Sequence, residues 1–186
     1  DNLSPEESVD TVRKAFESWR SIECSSIDFE ELGDAPNPNV TVLTGNSPDG
    51  VNSLVWIEDE AWTLGKWVLG VTGPIITQDG SLVEADIAFN GYHLTWTTNG
   101  KGGTDLESVA VHEIGHMFGM QHNLGPYNWA EPPTMTPNIQ PQLKSRTPEL
   151  DDQMCACFLY PEGGTWNCDS NAQCPKILGQ TAGGED

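Results

Sequence analysis

Basic residues are scarce. The 186-residue chain carries 8 lysines and arginines against 28 aspartates and glutamates, a formal charge of −20. A surface so biased repels phosphate backbones and anionic headgroups, which excludes nucleic acid and membrane surfaces as partners. The acids are scattered and match no calcium-loop spacing, so Ca²⁺ binding has no support in the pattern and solubility is the simpler use of the charge. Long apolar runs are missing too. The longest, residues 67–76, is interrupted by Gly70, Gly73 and Pro74 and falls short of the roughly eighteen residues a membrane span needs. A basic-then-apolar leader is also lacking, which reads as a mature or trimmed form. There are no internal repeats and no paired CxxC knuckles. The five cysteines, at 24, 155, 157, 168 and 174, point instead to an oxidising compartment and hence to secretion. A chain of this length is expected to form one domain with a real core and to act as a monomer.

Histidine is the remaining scarcity. Of only four, three fall in His112-Glu113-Ile114-Gly115-His116-Met117-Phe118-Gly119-Met120-Gln121-His122. His112 and His116 stand four apart, so on a helix they project from one face, one turn above the other. Two imidazoles at that spacing suit adjacent corners of a zinc tetrahedron. Glu113 lies beside the metal rather than on it, where a general base belongs. Gly119 has no Cβ and lets the chain leave the helix through a left-handed conformation, which swings His122 back as a third ligand. One zinc corner is then open to water. The fourth histidine, His93, reads as a surface or hydrogen-bonded residue.

Around this stretch the chain alternates apolar segments with punctuation. Ser4-Pro5-Glu6-Glu7 is a capping box with proline at the first helical position, and Val9, Val12, Phe16 and Trp19 recur at helical spacing. A helix is predicted over residues 5–20. Short segments with strand character follow at 27–32, 40–44, 53–57, 68–72 and 83–89, the last two joined by an Asp79-Gly80 hairpin turn. A glycine-rich link, residues 99–103, leads to a second capping box, Thr104 with Glu107, at the start of the histidine helix. Residues 123–146 read as irregular, and a third helix is predicted over 147–160. The polar, glycine-rich tail beyond Pro161 has Cys168 and Cys174 as its only anchors.

The HExxHxxGxxH pattern, with Met135 thirteen residues further on, resembles the metzincin metallopeptidases. Phe16 and Trp19, the segment Ala85-Asp86-Ile87-Ala88-Phe89-Asn90, and Asp151-Asp152 with Leu159-Tyr160 are similar to the matrixin branch, especially its bacterial secreted members. The resemblance implies an α+β fold: a twisted mixed sheet with two long helices above an active-site cleft, and a small irregular lower part closed by a C-terminal helix. Residues 1–161 would form the catalytic domain, with 1–122 above and 123–161 below, and 162–186 a tail. It implies a secreted endopeptidase acting on protein or peptide substrates, with one catalytic Zn²⁺ on His112, His116 and His122 and Glu113 as general base. Met135 would form the hydrophobic floor beneath the imidazoles. Substrate would lie along an edge strand at residues 67–71. A pocket walled by Pro137, Asn138 and Ile139, with the small Ser108 setting its depth, would take a medium or large apolar side chain. One of Asp151 and Asp152 would bond the Met-turn backbone, the other an N-terminal amine. A disulfide Cys24–Cys157 and a small loop closed by Cys168–Cys174 would leave Cys155 unpaired, although five cysteines leave other arrangements open. Three departures stand out: Asn123 follows the third histidine where matrixins have serine, Thr136 follows Met135 where they have tyrosine, and no strand precedes the first helix. Either an upstream piece was removed, or residues 40–44 partly fill that place. Matrixins of animals hold a second, structural zinc with further histidines and aspartates; His93 is the only histidine left here, so no second zinc site is expected. The rival reading is a catalytically silent zinc-containing binding or adhesion module, against which the intact Glu113 argues.

Overall fold

The computed structural model describes residues 3–35, 38–125, 132–138 and 145–164. Helix α1 spans Pro5–Arg20 with both halves of the Ser4/Glu7 capping box formed: Glu7 N donates to Ser4 Oγ, and Ser4 N donates to the Glu7 carboxylate. Such a cap is worth about 1 kcal/mol. Of the expected apolar face, Val12 and Trp19 are buried together with Ala15, Phe16 is half-buried, and Val9 in the first turns is exposed. That face packs on helix α3, Leu106–Met117, where the Trp19 indole N–H donates to the Val111 carbonyl at 2.9 Å. Nearly every side chain of α3 is buried, so its sequence is apolar all round except where the site requires otherwise.

Three strands, β1 (Leu54–Ile57), β2 (Gly70–Ile76) and β3 (Leu82–Asn90), form a mixed sheet in the order β1-β3-β2. β3 runs parallel to β1 and antiparallel to β2, joined to the latter by the turn at Asp79 and Gly80. As the central strand, β3 sorts its residues by parity. Ala85, Ile87 and Phe89 face the core shared with α1 and α3, whereas Ala88 packs with Val40 and Trp62 on the other face. Glu84 and Asp86 share that second face and are buried there as acceptors of backbone N–H groups: Asp49 and Gly50 donate to Glu84, Thr41 and Ser53 to Asp86.

Three expectations are corrected. Residues 40–44 are not a strand but a single helical turn, α2 (Thr41–Thr44). The Asp86 carboxylate accepts from both Thr41 N and Thr41 Oγ1, satisfying the start of the turn, and Gly45 ends it at φ +66°. Residues 27–32 run beside α1 without a strand ladder. Their contacts go to arginine side chains: Arg20 stacks on Phe29 at 3.8 Å and donates to its carbonyl, and Arg13 grips Glu31. The Thr104/Glu107 capping box does not form, because Asp105 is the N-cap of α3, accepting from Ser108 N at 3.0 Å. Just before it, β4 (Trp96–Thr97) and β5 (Thr104–Asp105) pair in parallel across the glycine-rich link.

Helix α4 spans Leu150–Leu159, shorter at its start than the predicted 147–160. Cys24, just past α1, is disulfide-bonded to Cys157 on α4 with Cα atoms 5.3 Å apart, and Cys155 is free. Ser25 and Pro161 form a β-bridge beside it, and Glu162 N donates to the Cys24 carbonyl, which anchors the short 3₁₀ turn Glu162–Gly164. Cys168 and Cys174 lie outside the described residues.

Candidate metal and active site

Helix α3 delivers His112, Glu113 and His116, and ends at Phe118. Gly119 then adopts φ +87°, which an L side chain would resist, and turns the chain out of the helix. Gly119 N and Met120 N bond back to His116 O and Gly115 O, so the exit is fixed and His122 returns over the helix. The Nε2 atoms of His112, His116 and His122 lie 3.1–3.2 Å from one another. Two of these rings are oriented from behind. His112 Nδ1 donates to the Thr134 carbonyl at 2.7 Å, and His116 Nδ1 donates to the Met120 carbonyl at 2.8 Å. A carbonyl oxygen only accepts, so these bonds place the ring protons on Nδ1 and leave each Nε2 lone pair bare toward the shared centre. Burial lowers the basicity of all three rings and takes His112 down to about 4, which favours their neutral forms. Neutral imidazoles with converging lone pairs are a metal-binding donor set.

The turn beneath the rings is tied on both sides. Met135 is 2 % exposed, and its sulfur lies so close to Gly115 that a Cβ there would overlap it. Asp152, at the start of α4, accepts from Thr134 N at 2.7 Å and from Met135 N at 3.2 Å. Asn123, directly after the third histidine, donates its backbone N–H to the Met135 carbonyl at 2.7 Å and its amide to Asp151 at 2.7 Å. Asp152 is therefore the carboxylate that bonds the Thr134–Met135 backbone, and Asp151 receives Asn123; Asp1, whose amine was the other expected partner, lies outside the described residues.

Glu113 is 5 % exposed and faces strand β2. Burial raises its carboxyl to about 7, and the Thr72 hydroxyl, donating to Oε2 at 2.6 Å, works in the opposite direction. A cleft of about 510 Å³ opens over the histidines and Glu113, and one wall is the β2 side of the sheet, including Trp67, Gly70 and Thr72. Among the described residues β2 has β3 as its only strand partner, so β2 is the edge strand of the sheet; of the expected edge 67–71, residues 70 and 71 lie in β2, and 67–69 precede it along the cleft wall. Pro137 lines the opposite side and Asn138 is exposed next to it, while Ile139 lies outside the described residues. Ser108 does not line the cleft. It is fully buried with its hydroxyl on Asp105 at 2.7 Å, and the adjacent Val109 takes the cleft position, because the N-cap turns the serine inward. His93 is exposed beside Tyr92.

The family model described as Matrixin matches residues 1–160. The chain belongs to the matrixin family. Among relatives, it is 27 % identical over 181 residues to Metalloendoproteinase 1-MMP of Arabidopsis thaliana, covering 93 % of this chain and 43 % of the plant protein. It is 35 % identical over 88 residues to Stromelysin-3 of Homo sapiens, covering 38 % and 18 % of the two chains. It is 25 % identical over 122 residues to Hatching enzyme of Paracentrotus lividus, covering 66 % and 18 %. The chain thus spans less than half the length of these curated relatives. Matrixins are zinc-dependent metallopeptidases, and the α+β architecture of mixed sheet and two long helices is that of a matrixin catalytic domain. Among the described residues, no helix is long and apolar enough to cross a membrane.

The motif and its spacing singled out the histidines and Glu113. They did not single out Thr72, Gly70 or Val109. The i, i+2 spacing of Gly70 and Thr72 does put them on one face of a strand, but nothing local says that this face meets Glu113.

Proposed function

We propose that the protein is a secreted zinc endopeptidase, with residues 1–161 as its catalytic domain and Glu113 as general base. The observation that carries this reading is the convergence of three Nε2 atoms at 3.1–3.2 Å spacing, those of His112 and His116 left bare by their Nδ1 bonds. Tetrahedral bonds of about 2.05 Å would set nitrogen ligands roughly 3.3 Å apart, so the donor set fits zinc in type and in spacing. His112, His116 and His122 would hold the ion. Bound there, zinc supplies Lewis-acid polarisation of the scissile carbonyl and acidifies water at the cleft.

The rest of the chemistry belongs to the chain. Glu113 accepts the proton of the attacking water and passes it to the leaving amine nitrogen. Its buried setting, with a carboxyl near neutral, suits a group that must take a proton and then give it up. The open edge of β2 holds the substrate extended by main-chain hydrogen bonds. Val109 and Pro137, joined by Asn138 and Ile139, form the wall that receives an apolar side chain just after the scissile bond. The Cys24–Cys157 disulfide supports secretion, since such bonds persist in oxidising compartments.

A peptide-library cleavage profile on wild type, Glu113→Ala and chelator-treated protein tests the proposal. Wild type is expected to cut before apolar residues, and chelation to abolish cutting. Glu113→Ala should lose at least about 10²–10⁴-fold in rate while retaining its zinc. Failure to bind zinc under metal-replete conditions, or full activity in Glu113→Ala, would overturn it.

A further inference from the structure

The edge strand that lines the cleft also holds Glu113. The Thr72 hydroxyl lies 2.6 Å from Glu113 Oε2 and 3.0 Å from the Glu113 carbonyl. A hydroxyl has one proton, and the ionised carboxylate oxygen at the shorter distance is the stronger acceptor. Two residues earlier on the same strand face, Gly70 lets the carboxylate lie against the backbone. A Cβ at Gly70 would stand 2.8 Å from Glu113 Oε1, 3.0 Å from its Cγ and 3.1 Å from its Cδ. Glu113 is thus confined by a donor on one oxygen and by bare backbone beside the other.

We infer that Thr72 is a positioning residue, its hydroxyl fixing one Glu113 oxygen so that the other is aimed into the cleft for proton transfer. This inference rests on the assignment of Glu113 as general base and adds to it the group that aims it. The helical rotamers of a glutamate leave its carboxylate free to swing, and a buried carboxylate with one oxygen pinned has lost most of that freedom. Gly70 has the complementary role of clearance. The strand that aligns the substrate and the strand that aligns the base are the same, so both reactants are registered against one rigid element.

The test compares Thr72→Val, Thr72→Ser and Glu113→Gln with wild type, all zinc-loaded and with matched melting temperatures. Thr72→Val keeps the shape and removes the hydroxyl. It is expected to lower kcat by about 10–100-fold with KM changed by no more than about two-fold, since misplacement of a reacting group by about 1 Å costs on the order of 10²-fold. Thr72→Ser is expected to restore most of kcat. A second measurement needs neither metal nor turnover. The Glu113 carboxyl ¹³C resonance, identified by its loss in Glu113→Gln, should move in metal-free Thr72→Val and return in Thr72→Ser. Wild-type kcat in Thr72→Val, with Glu113→Gln inactive, would overturn the positioning role and leave the general base standing. An equal loss in Thr72→Val and Thr72→Ser, or an unmoved carboxyl resonance, would also overturn it. Absence of zinc-dependent cleavage in wild type would remove the general base and the role of Thr72 together.

Discussion

Gly115 shows how one missing methyl serves the site. It sits in the middle of α3, where alanine would ordinarily stabilise a helix by about 1 kcal/mol over glycine. Here a Cβ would overlap the Met135 sulfur and come within 3.0 Å of the Trp19 ring. Trp19 is fully buried and hydrogen-bonded to Val111, and the Met135 thioether, 2 % exposed on a backbone held by Asp152 and Asn123, can turn aside only by repacking its buried surroundings. Gly115→Ala is therefore expected to lower stability by about 1–3 kcal/mol, the usual cost of overpacking, against the sign that helix propensity gives. Thermal unfolding reads the result, and a raised melting temperature would contradict the packing argument. Competition with a fluorescent chelator should also show weaker zinc retention, since Asn123, which bonds the displaced turn, directly follows the third ligand His122. The motif marks Gly115 only as a position between two histidines; its partner, Met135, comes into contact only through the tertiary fold.

At the scale of elements, the ion pair between Arg146 and Asp105 joins the chain entering α4 to the first turn of α3. Arg146 Nε and Nη2 reach the two oxygens of Asp105 at 3.1 and 2.6 Å, Nη1 lies 3.2 Å from Glu107, and Nη2 also donates to the Thr98 carbonyl. Asp105 is at the same time the N-cap of α3. Burial works to raise its carboxyl, but the hydrogen bonds from Arg146 and Ser108 outweigh it and hold the group below the usual aspartate value. Arg146→Met is expected to destabilise the protein by about 2 kcal/mol, between the values for exposed and buried pairs. The sign with pH follows from the lowered carboxyl: its contribution is complete above an unfolded aspartate value of about 3.9 and is lost as pH falls through the lower folded one. The gap between wild type and Arg146→Met in denaturant titrations should be wide at neutral pH and close in acid. A gap that widened in acid would contradict this. Which elements were legible follows the same division between near and far. Helix α1 is written in Ser4, Glu7 and four apolar positions within its own span, and the β2–β3 hairpin in Asp79-Gly80. The residues 40–44 carry β-branched side chains and read as strand, but they form a helical turn because Asp86, on the far side of two strands, caps it. Likewise Glu113 and its ring partners are plain in the motif, whereas Thr72 is 41 residues away and its approach depends on how β2 lies across α3. Ser108 and Val109 differ by one position, and only the actual N-cap at Asp105 decides which of them faces the cleft.

For the molecule as a whole, the chain from Cys24 to Cys157 is closed by a single covalent tie, a separation of 133 residues. In the chain-entropy view a loop of that length restricts the unfolded state by about 5 kcal/mol, at the upper end of what native disulfides contribute. The Cys24→Ser, Cys157→Ser double variant is expected to lose about 2–5 kcal/mol in equilibrium unfolding, with Cys155 also replaced so that no new pairing intervenes. A loss below about 1 kcal/mol would mean that the packing of α1 and α4 holds the two parts together without it. The tie also bears on what the proposed cleft would admit. It joins the end of α1 to α4, so these two elements cannot be drawn apart without breaking a covalent bond. Under the proposed peptidase activity, a polypeptide would then enter as a strand already loosened from its own structure. Frayed ends and slack loops of a target would be cut before a compact globule.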